Sequence, residues 1–399
     1  LAAAAAAPRS VRKRLRRKRK VALVCAGGGI TGAVYEIGCL RALEDLLDRS
    51  MLDLDLYVGI SGGAFVASLL ANGLSPRQLY DEVAARSRTP FGVAEAPLFR
   101  LGLGEYLKRT SAAPRVIADA VLAALSREGR SAADAFFTLF QLLPPGLLDN
   151  SGVQEYLARL FRDHGRTDHF RDLHRELIVV AVDLDTGDAV PFGEKGWRDV
   201  SISKAVQAST ALPGLYRPIR IGGRDYVDGG VKKTAHINLA IQRGADLVIC
   251  LNPIVPILNN VSDGPLRGHL SNRGPTWVLD QVLRITLHGR MQYGLERYQS
   301  EHPEVDILIM QPTRDDMRMF RYNIMRYSAR HIVAQHGYRS AKRQFVEREA
   351  EYRALLKRHG IGVGDPHALP DVPDPIPWRS SMARHLGVSL DQLAHKLAR

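Results

Sequence analysis

Cysteine is scarce: Cys25, Cys39 and Cys250 are the three in 399 residues. Each stands inside an apolar strand or helix pattern, not at loop spacings. That argues against a disulfide framework or a cysteine-based zinc site, and it points to a reducing compartment. Long hydrophobic runs are missing as well. No apolar stretch approaches the ~20 residues that span a bilayer, so any membrane contact is expected to be peripheral. The short apolar opening, Leu1 to Ala7, precedes the basic residues instead of following them, which is the wrong order for a secretory signal. A chain beginning with Leu reads as one whose native start lies upstream. His164, His169 and His174 recur every five residues on what reads as loop and form no metal set. No metal or cofactor is expected.

Acids are absent from one stretch in particular. Between Arg9 and Lys20, nine of twelve residues are Lys or Arg and none is acidic, which leaves +4 of the net +13 for the rest of the chain. Such a run is ordinarily a solvated, disordered arm. Its functional reading is attraction to anionic lipid head groups, at about 1 kcal/mol per cation near the surface. Nucleic acid ranks below lipid because no binding motif accompanies the arm. The expected location is the cytoplasm with peripheral membrane contact, and the sequence leaves the oligomeric state open.

What is present is a large α/β pattern. With 45% hydrophobic residues, the chain can bury one large core and carry a helical extension. The expected organisation is a basic arm over 1–19, a main domain over 20–312 with a helical insert at about 89–148, and a Pro-interrupted helical extension over 313–399. A strand is expected at 20–26, a helix at 33–47, a strand ending at Ile60 and a helix from Ala64. Further on, a strand is expected at 177–184, a hairpin over 216–228 turning at Gly222-Gly223, a strand at 246–252, an amphipathic helix at 276–298 and a strand at 305–310.

Three glycine-rich motifs punctuate this pattern. The first strand delivers into Gly27-Gly28-Gly29-Ile30-Thr31-Gly32, a G-x-G-x-x-G that fits a dinucleotide-binding turn and an oxyanion-hole loop equally well. The second delivers into Gly59-Ile60-Ser61-Gly62-Gly63, which is G-x-S-x-G. A serine on so tight a strand-to-helix turn needs small neighbours, and the turn pushes its hydroxyl out of the sheet toward the N–H groups of the next helix. The bland reading is a Gly-rich loop with a serine N-cap. The late hairpin ends in Asp228-Gly229-Gly230, by itself ordinary turn chemistry. An acid to hold a ribose is missing after the second strand, and a serine stands there instead, so the oxyanion reading of the first loop is favoured.

The order of these motifs, with ASTALPGLYRPIRIGGRDYVDGGVKK and GADLVICLN, closely resembles the patatin-like phospholipase family over about residues 20–252. The resemblance implies a three-layer α/β/α fold with a central, mostly parallel sheet, a helical insert and a C-terminal helical extension. It implies a serine acyl hydrolase acting on phospholipids or other acyl lipids, with no cofactor. Ser61 would be the nucleophile and Asp228 its only partner. Gly27, Gly28, Gly29, Gly32 and Gly62 would form the oxyanion hole, with Gly59, Gly63, Gly229 and Gly230 supporting the turns. Thr31 departs from the basic residue the family often carries, and His236 stands near where it often has Pro.

Two rivals remain. An α/β-hydrolase triad would use Ser61, Asp228 and His236 in the right order, although His236 reads as a surface residue at a helix start. A catalytically silent scaffold would bind lipid or protein through its arm and insert. A carboxylate base, starting from ~4 and raised somewhat by burial, is expected to stay competent at lower pH than an imidazole at ~6.5.

Overall fold

A computed structural model describes residues 19–84, 100–101, 145–262, 268–314, 316 and 329–370. The basic run up to residue 18, nearly all of the expected insert and the last part of the expected extension, beyond residue 370, lie outside the described residues. In chain order the elements are β1 (Val21–Cys25), α1 (Gly29–Leu46), β2 (Leu56–Ile60), α2 (Gly62–Ala71), α3 (Pro76–Ala84), β3 (Arg100–Leu101), β4 (Gly146–Asp149), α4 (Ser151–Asp163), β5 (Glu176–Asp183) and β6 (Ala189–Phe192). They continue as α5 (Ile202–Ser209), β7 (Gly214–Tyr216), β8 (Ile219–Ile221), β9 (Arg224–Asp228), α6 (Ile237–Gln242), β10 (Leu247–Leu251), α7 (Pro275–Glu301), β11 (Asp306–Met310), α8 (Arg330–Glu347) and α9 (Glu349–Arg358).

The short apolar runs become strands buried on both faces, and for that reason they read as continuous Val, Leu and Ile rather than alternating. The main sheet runs β11-β10-β1-β2-β5-β9-β8, with β6 also paired to β5. From β11 to β5 every pairing is parallel, whereas β9, β8 and β6 join antiparallel. Gly222 and Gly223, both at positive φ (56° and 82°), make the two-residue hairpin loop between β8 and β9. Successive β1 side chains divide between two cores. Val21, Leu23 and Cys25 pack with residues of α1, α2, α5 and α8, while Ala22 and Val24 pack with Ile237 and Ala240 of α6 and Met291 and Leu295 of α7. The molecule is therefore a mixed α/β fold in three layers around a mostly parallel sheet.

The helix beyond residue 313 joins this packing. A Cβ on Gly38 of α1 would lie 2.1 Å from the Ala334 carbonyl of α8, and the Tyr35 and Ser340 hydroxyls share a hydrogen bond of 2.9 Å. The three cysteines are buried and free. The largest boundary departure among these helices is at α1, which begins at Gly29, four residues before Ala33. The reason is local, since the Gly32 N–H donates to the Gly28 carbonyl at 2.9 Å and closes a helical turn inside the glycine motif.

Candidate active site

Sheet register brings two of the motifs level. Ile60 pairs with Val180, and Ala181 pairs with Asp228. Ser61, one residue past β2, therefore stands opposite Asp228 across β5. Two inter-strand spacings separate their backbones by ~10 Å, a gap that serine and aspartate side chains turned toward each other can span. Ser61 has φ 53° and ψ −127°, a conformation that non-glycine residues seldom adopt. The surroundings hold it there: its N–H donates to Ser209 Oγ at 2.9 Å, and that hydroxyl donates to the Val180 carbonyl at 2.6 Å. The glycines of the turn are set by close approach. A Cβ at Gly59 would lie 2.5 Å from Ala64 Cα, and one at Gly63 would lie 2.3 Å from the Cys25 carbonyl.

Asp228 ends β9 with its N–H donating to the Ala211 carbonyl at 3.0 Å. It is buried, and its Oδ1 accepts the Gly230 N–H at 2.8 Å. Burial raises its pKa to about 6, against the lowering effect of the neighbouring Ser61 hydroxyl and of the Gly230 N–H. A carboxyl of this kind is more basic than a solvated one and still ionised at neutral pH.

The helix starts of α1 and α2 meet beside this pair, close enough that a Cβ on Gly62 would lie 2.3 Å from the Gly29 carbonyl. Gly27, Gly28, Gly29 and Gly62 line one cavity with Ser61 and Asp228. First-turn N–H groups have no partner inside their own helix, which leaves Gly29 and Gly62, with Gly28 just before α1, able to donate. Two of the expected donors do not fit that role. Gly32 spends its N–H within α1, as above, and the Gly27 N–H points to the Thr234 carbonyl at 3.4 Å. Thr31 is buried in α1, with a hydroxyl that has no hydrogen-bond partner among the described residues.

The cavity extends from this polar point into apolar walls that include Ile30, Val34, Phe65, Val153, Leu212 and Leu287. Asp280 and Arg284, also in the wall, form an ion pair of 2.9 Å.

His236 corrects the expectation of a surface residue. It does precede a helix, but it is buried with φ 47° and ψ 36°. Its Nε2 lies 3.2 Å from the Gly229 carbonyl, and it lines a separate groove with Lys232, Lys233 and Arg290. Burial, joined by the positive field of Lys233, Arg290 and Lys232, lowers its pKa to about 4. Its hydrogen bond goes to a main-chain carbonyl and not to Asp228, so it does not complete a triad. Sequence reasoning missed Ser209, whose only signal was a small polar residue in the middle of Ala208-Ser209-Thr210.

A family profile described as patatin-like phospholipase matches residues 23–241. A probable lipid hydrolase of invertebrate iridescent virus 6 is 22% identical over 220 residues, 55% of this chain and 63% of that protein. An uncharacterized NTE family protein of Mycobacterium tuberculosis is 26% identical over 234 residues, 59% of this chain and 30% of that protein. The chain thus spans less than two thirds of the length of each. Among solved structures, VipD from Legionella pneumophila is similar at 16% identity and a TM-score of 0.36, with 88% of this chain and 68% of that chain covered. Because the family profile covers more than half of the sequence, including all three glycine-rich motifs, the chain belongs to the patatin-like phospholipase family.

Proposed function

We propose that this protein is a serine acyl hydrolase that cleaves carboxylic esters of phospholipids or other acyl lipids. The observation that carries the proposal is the buried Asp228, made basic by its surroundings, which shares one end of an apolar cavity with Ser61. In this reading Ser61 Oγ attacks the ester carbonyl carbon while Asp228 takes the hydroxyl proton. The carbonyl oxygen, now an oxyanion, accepts hydrogen bonds from Gly28, Gly29 and Gly62. One such donor typically lowers the barrier by ~3 kcal/mol. The tetrahedral species collapses, Asp228 returns the proton to the leaving alkoxide, and an acyl-Ser61 ester remains. Water, deprotonated by Asp228, then attacks that ester, and Asp228 passes the proton to the departing Ser61 Oγ, which releases the fatty acid and restores both side chains.

A carboxylate is a weaker base than imidazole. Burial narrows that gap here by lifting Asp228 to about 6. The apolar walls would hold an acyl chain, and the basic run between Arg9 and Lys20 would add attraction to anionic membrane. Residues 20–312 are taken as the hydrolase domain.

The test is a screen of p-nitrophenyl esters and phospholipids with the wild-type protein and Ser61→Ala, together with labelling by a serine-directed phosphonate. Turnover and labelling that both vanish in Ser61→Ala are expected. No turnover of any ester and no labelling of the wild type would favour a silent scaffold.

A further inference from the structure

A helix on a water-facing surface ordinarily turns its apolar side inward. α7 has apolar residues on both sides. Its inner stripe, Leu287, Met291 and Leu295, is buried together with Arg284, and Leu283 and Leu287 line the Ser61 cavity. On the opposite side Val278, Leu279, Val282 and Ile285 are 40%, 66%, 53% and 53% exposed. Their spacing of one, three and three residues makes a single stripe.

Neighbouring segments extend that stripe. Gln281 Nε2 donates to the Ile257 carbonyl at 2.9 Å, and the Ile257 N–H returns a bond of 3.0 Å to Gln281 Oε1. This brings the exposed Leu258 alongside the helix. At the other end Arg290 Nη1 donates to the Val231 carbonyl at 2.7 Å, and Val231 is both exposed and part of the cavity lining. An exposed apolar surface therefore runs up to the mouth of the cavity.

The charges around it are mainly positive, although Lys232 also pairs with Asp188 at 3.4 Å. From Pro275 to Leu295 the only acid is Asp280, and it is paired with Arg284 on the inner side. Arg273 sits over the Trp277 ring at one end, and Lys232, Lys233 and Arg290 gather at the other, where their combined field bears on His236.

We infer that the outer face of α7, with Leu258 and Val231, is a lipid-surface docking face that sets the cavity mouth against the membrane. The cationic rim matches anionic head groups, and a second copy of the same face would bring like charges together. An amphipathic helix lying in a membrane interface has this combination of apolar stripe and flanking cations. A lipid held here would have a path along apolar side chains into the cavity without crossing water. The inference rests on the acyl-lipid reading of that cavity.

The test separates binding from turnover. Protein carrying Ser61→Ala is floated with vesicles of phosphatidylcholine and phosphatidylglycerol at low and high salt, beside the same protein with Leu279→Asp and Val282→Asp. The parent should remain vesicle-bound at high salt, where attraction through the basic arm is screened. The two aspartates should lower that salt-resistant binding at least ~10-fold. With Ser61 restored, the same pair should reduce turnover of vesicle lipid in proportion and leave p-nitrophenyl butyrate turnover within a few-fold, which also reports folding. Should the aspartates unfold the protein, Leu279→Ser and Val282→Ser are read in the same way.

Equal flotation of the substituted protein would overturn the inference. So would a parent with no salt-resistant binding, the result expected if another part of the chain covers the face. A dimer that the substitutions split, with vesicle binding unchanged, would assign the face to a second copy. If the wild type turns over no ester at all, the hydrolase reading fails, while the flotation result still decides the docking face.

Discussion

Asp228 and His236 lie eight residues apart on either side of a glycine turn, both buried, and burial moves them in opposite directions. The carboxyl rises to about 6, and the imidazole falls to about 4. Asp228 opens onto an apolar cavity shared with Ser61 and with glycines at two helix starts. His236 backs onto the Gly229 carbonyl in a groove rimmed by lysine and arginine. Desolvation penalises whichever form is charged, so it turns the aspartate into a usable base at neutral pH and keeps the histidine neutral. The usual order of titration is thereby reversed. In the unperturbed order an aspartate base would survive to lower pH than a histidine base; here the aspartate is the one that protonates first as pH falls.

The largest effect expected from this contrast is on turnover. Asp228→Asn keeps an acceptor for the Gly230 N–H but cannot take a proton, and it should lower kcat at least ~100-fold. His236→Asn, chosen because Asn tolerates the left-handed backbone of that position, should stay within a few-fold of wild type in the same ester assay. A dead, folded His236→Asn beside an active Asp228→Asn would invert the assignment.

A smaller effect is expected at Ser209. Removing its hydroxyl strips the acceptor from the Ser61 N–H and frees a strained turn, and an unpaired buried N–H costs ~1–3 kcal/mol. Ser209→Ala should therefore lower kcat by roughly tenfold with KM nearly unchanged. A change confined to KM would mean that Ser209 acts on substrate binding and does not position the nucleophile.

A separate effect is expected on stability, and its sign is opposite. A carboxyl whose pKa rises on folding from 3.8 to about 6 binds its proton more tightly in the folded state, so its ionisation opposes folding above pH 6. The cost is roughly 3 kcal/mol where the group is fully ionised, and it disappears as pH falls toward 4. Asp228→Asn should accordingly melt higher than wild type at pH 8, with the gap closing near pH 4. Equal melting at both pH values would mean that Asp228 is not held in a costly ionised state.

Much of this arrangement was legible in the sequence because it depends on local patterns. Continuous apolar runs marked the parallel strands, Gly222-Gly223 marked the hairpin, and the glycines around Ser61 marked a close-packed turn. What stayed hidden depends on tertiary contact. Gly32 looks like one more loop glycine until its N–H is seen closing a helical turn onto Gly28. His236 looks like a surface residue because nothing in the chain near it announces that α7 and the residues after Asp228 will bury it. Ser209 lies 148 residues from the serine it supports, a separation no spacing rule reaches. α7 was readable as an amphipathic helix, but the sequence suggested one apolar side where the structure has two, a buried inner stripe and an exposed outer one.

The central claim, a buried aspartate as the base for Ser61, is tested most directly by the pH dependence of kcat/KM on neutral p-nitrophenyl butyrate for wild type and His236→Asn. The account predicts one acidic limb at about pH 6, the value to which burial lifts Asp228, at the same position in both proteins. A limb near pH 4, where His236 titrates, or one that moves or vanishes with His236→Asn in folded protein, would contradict it.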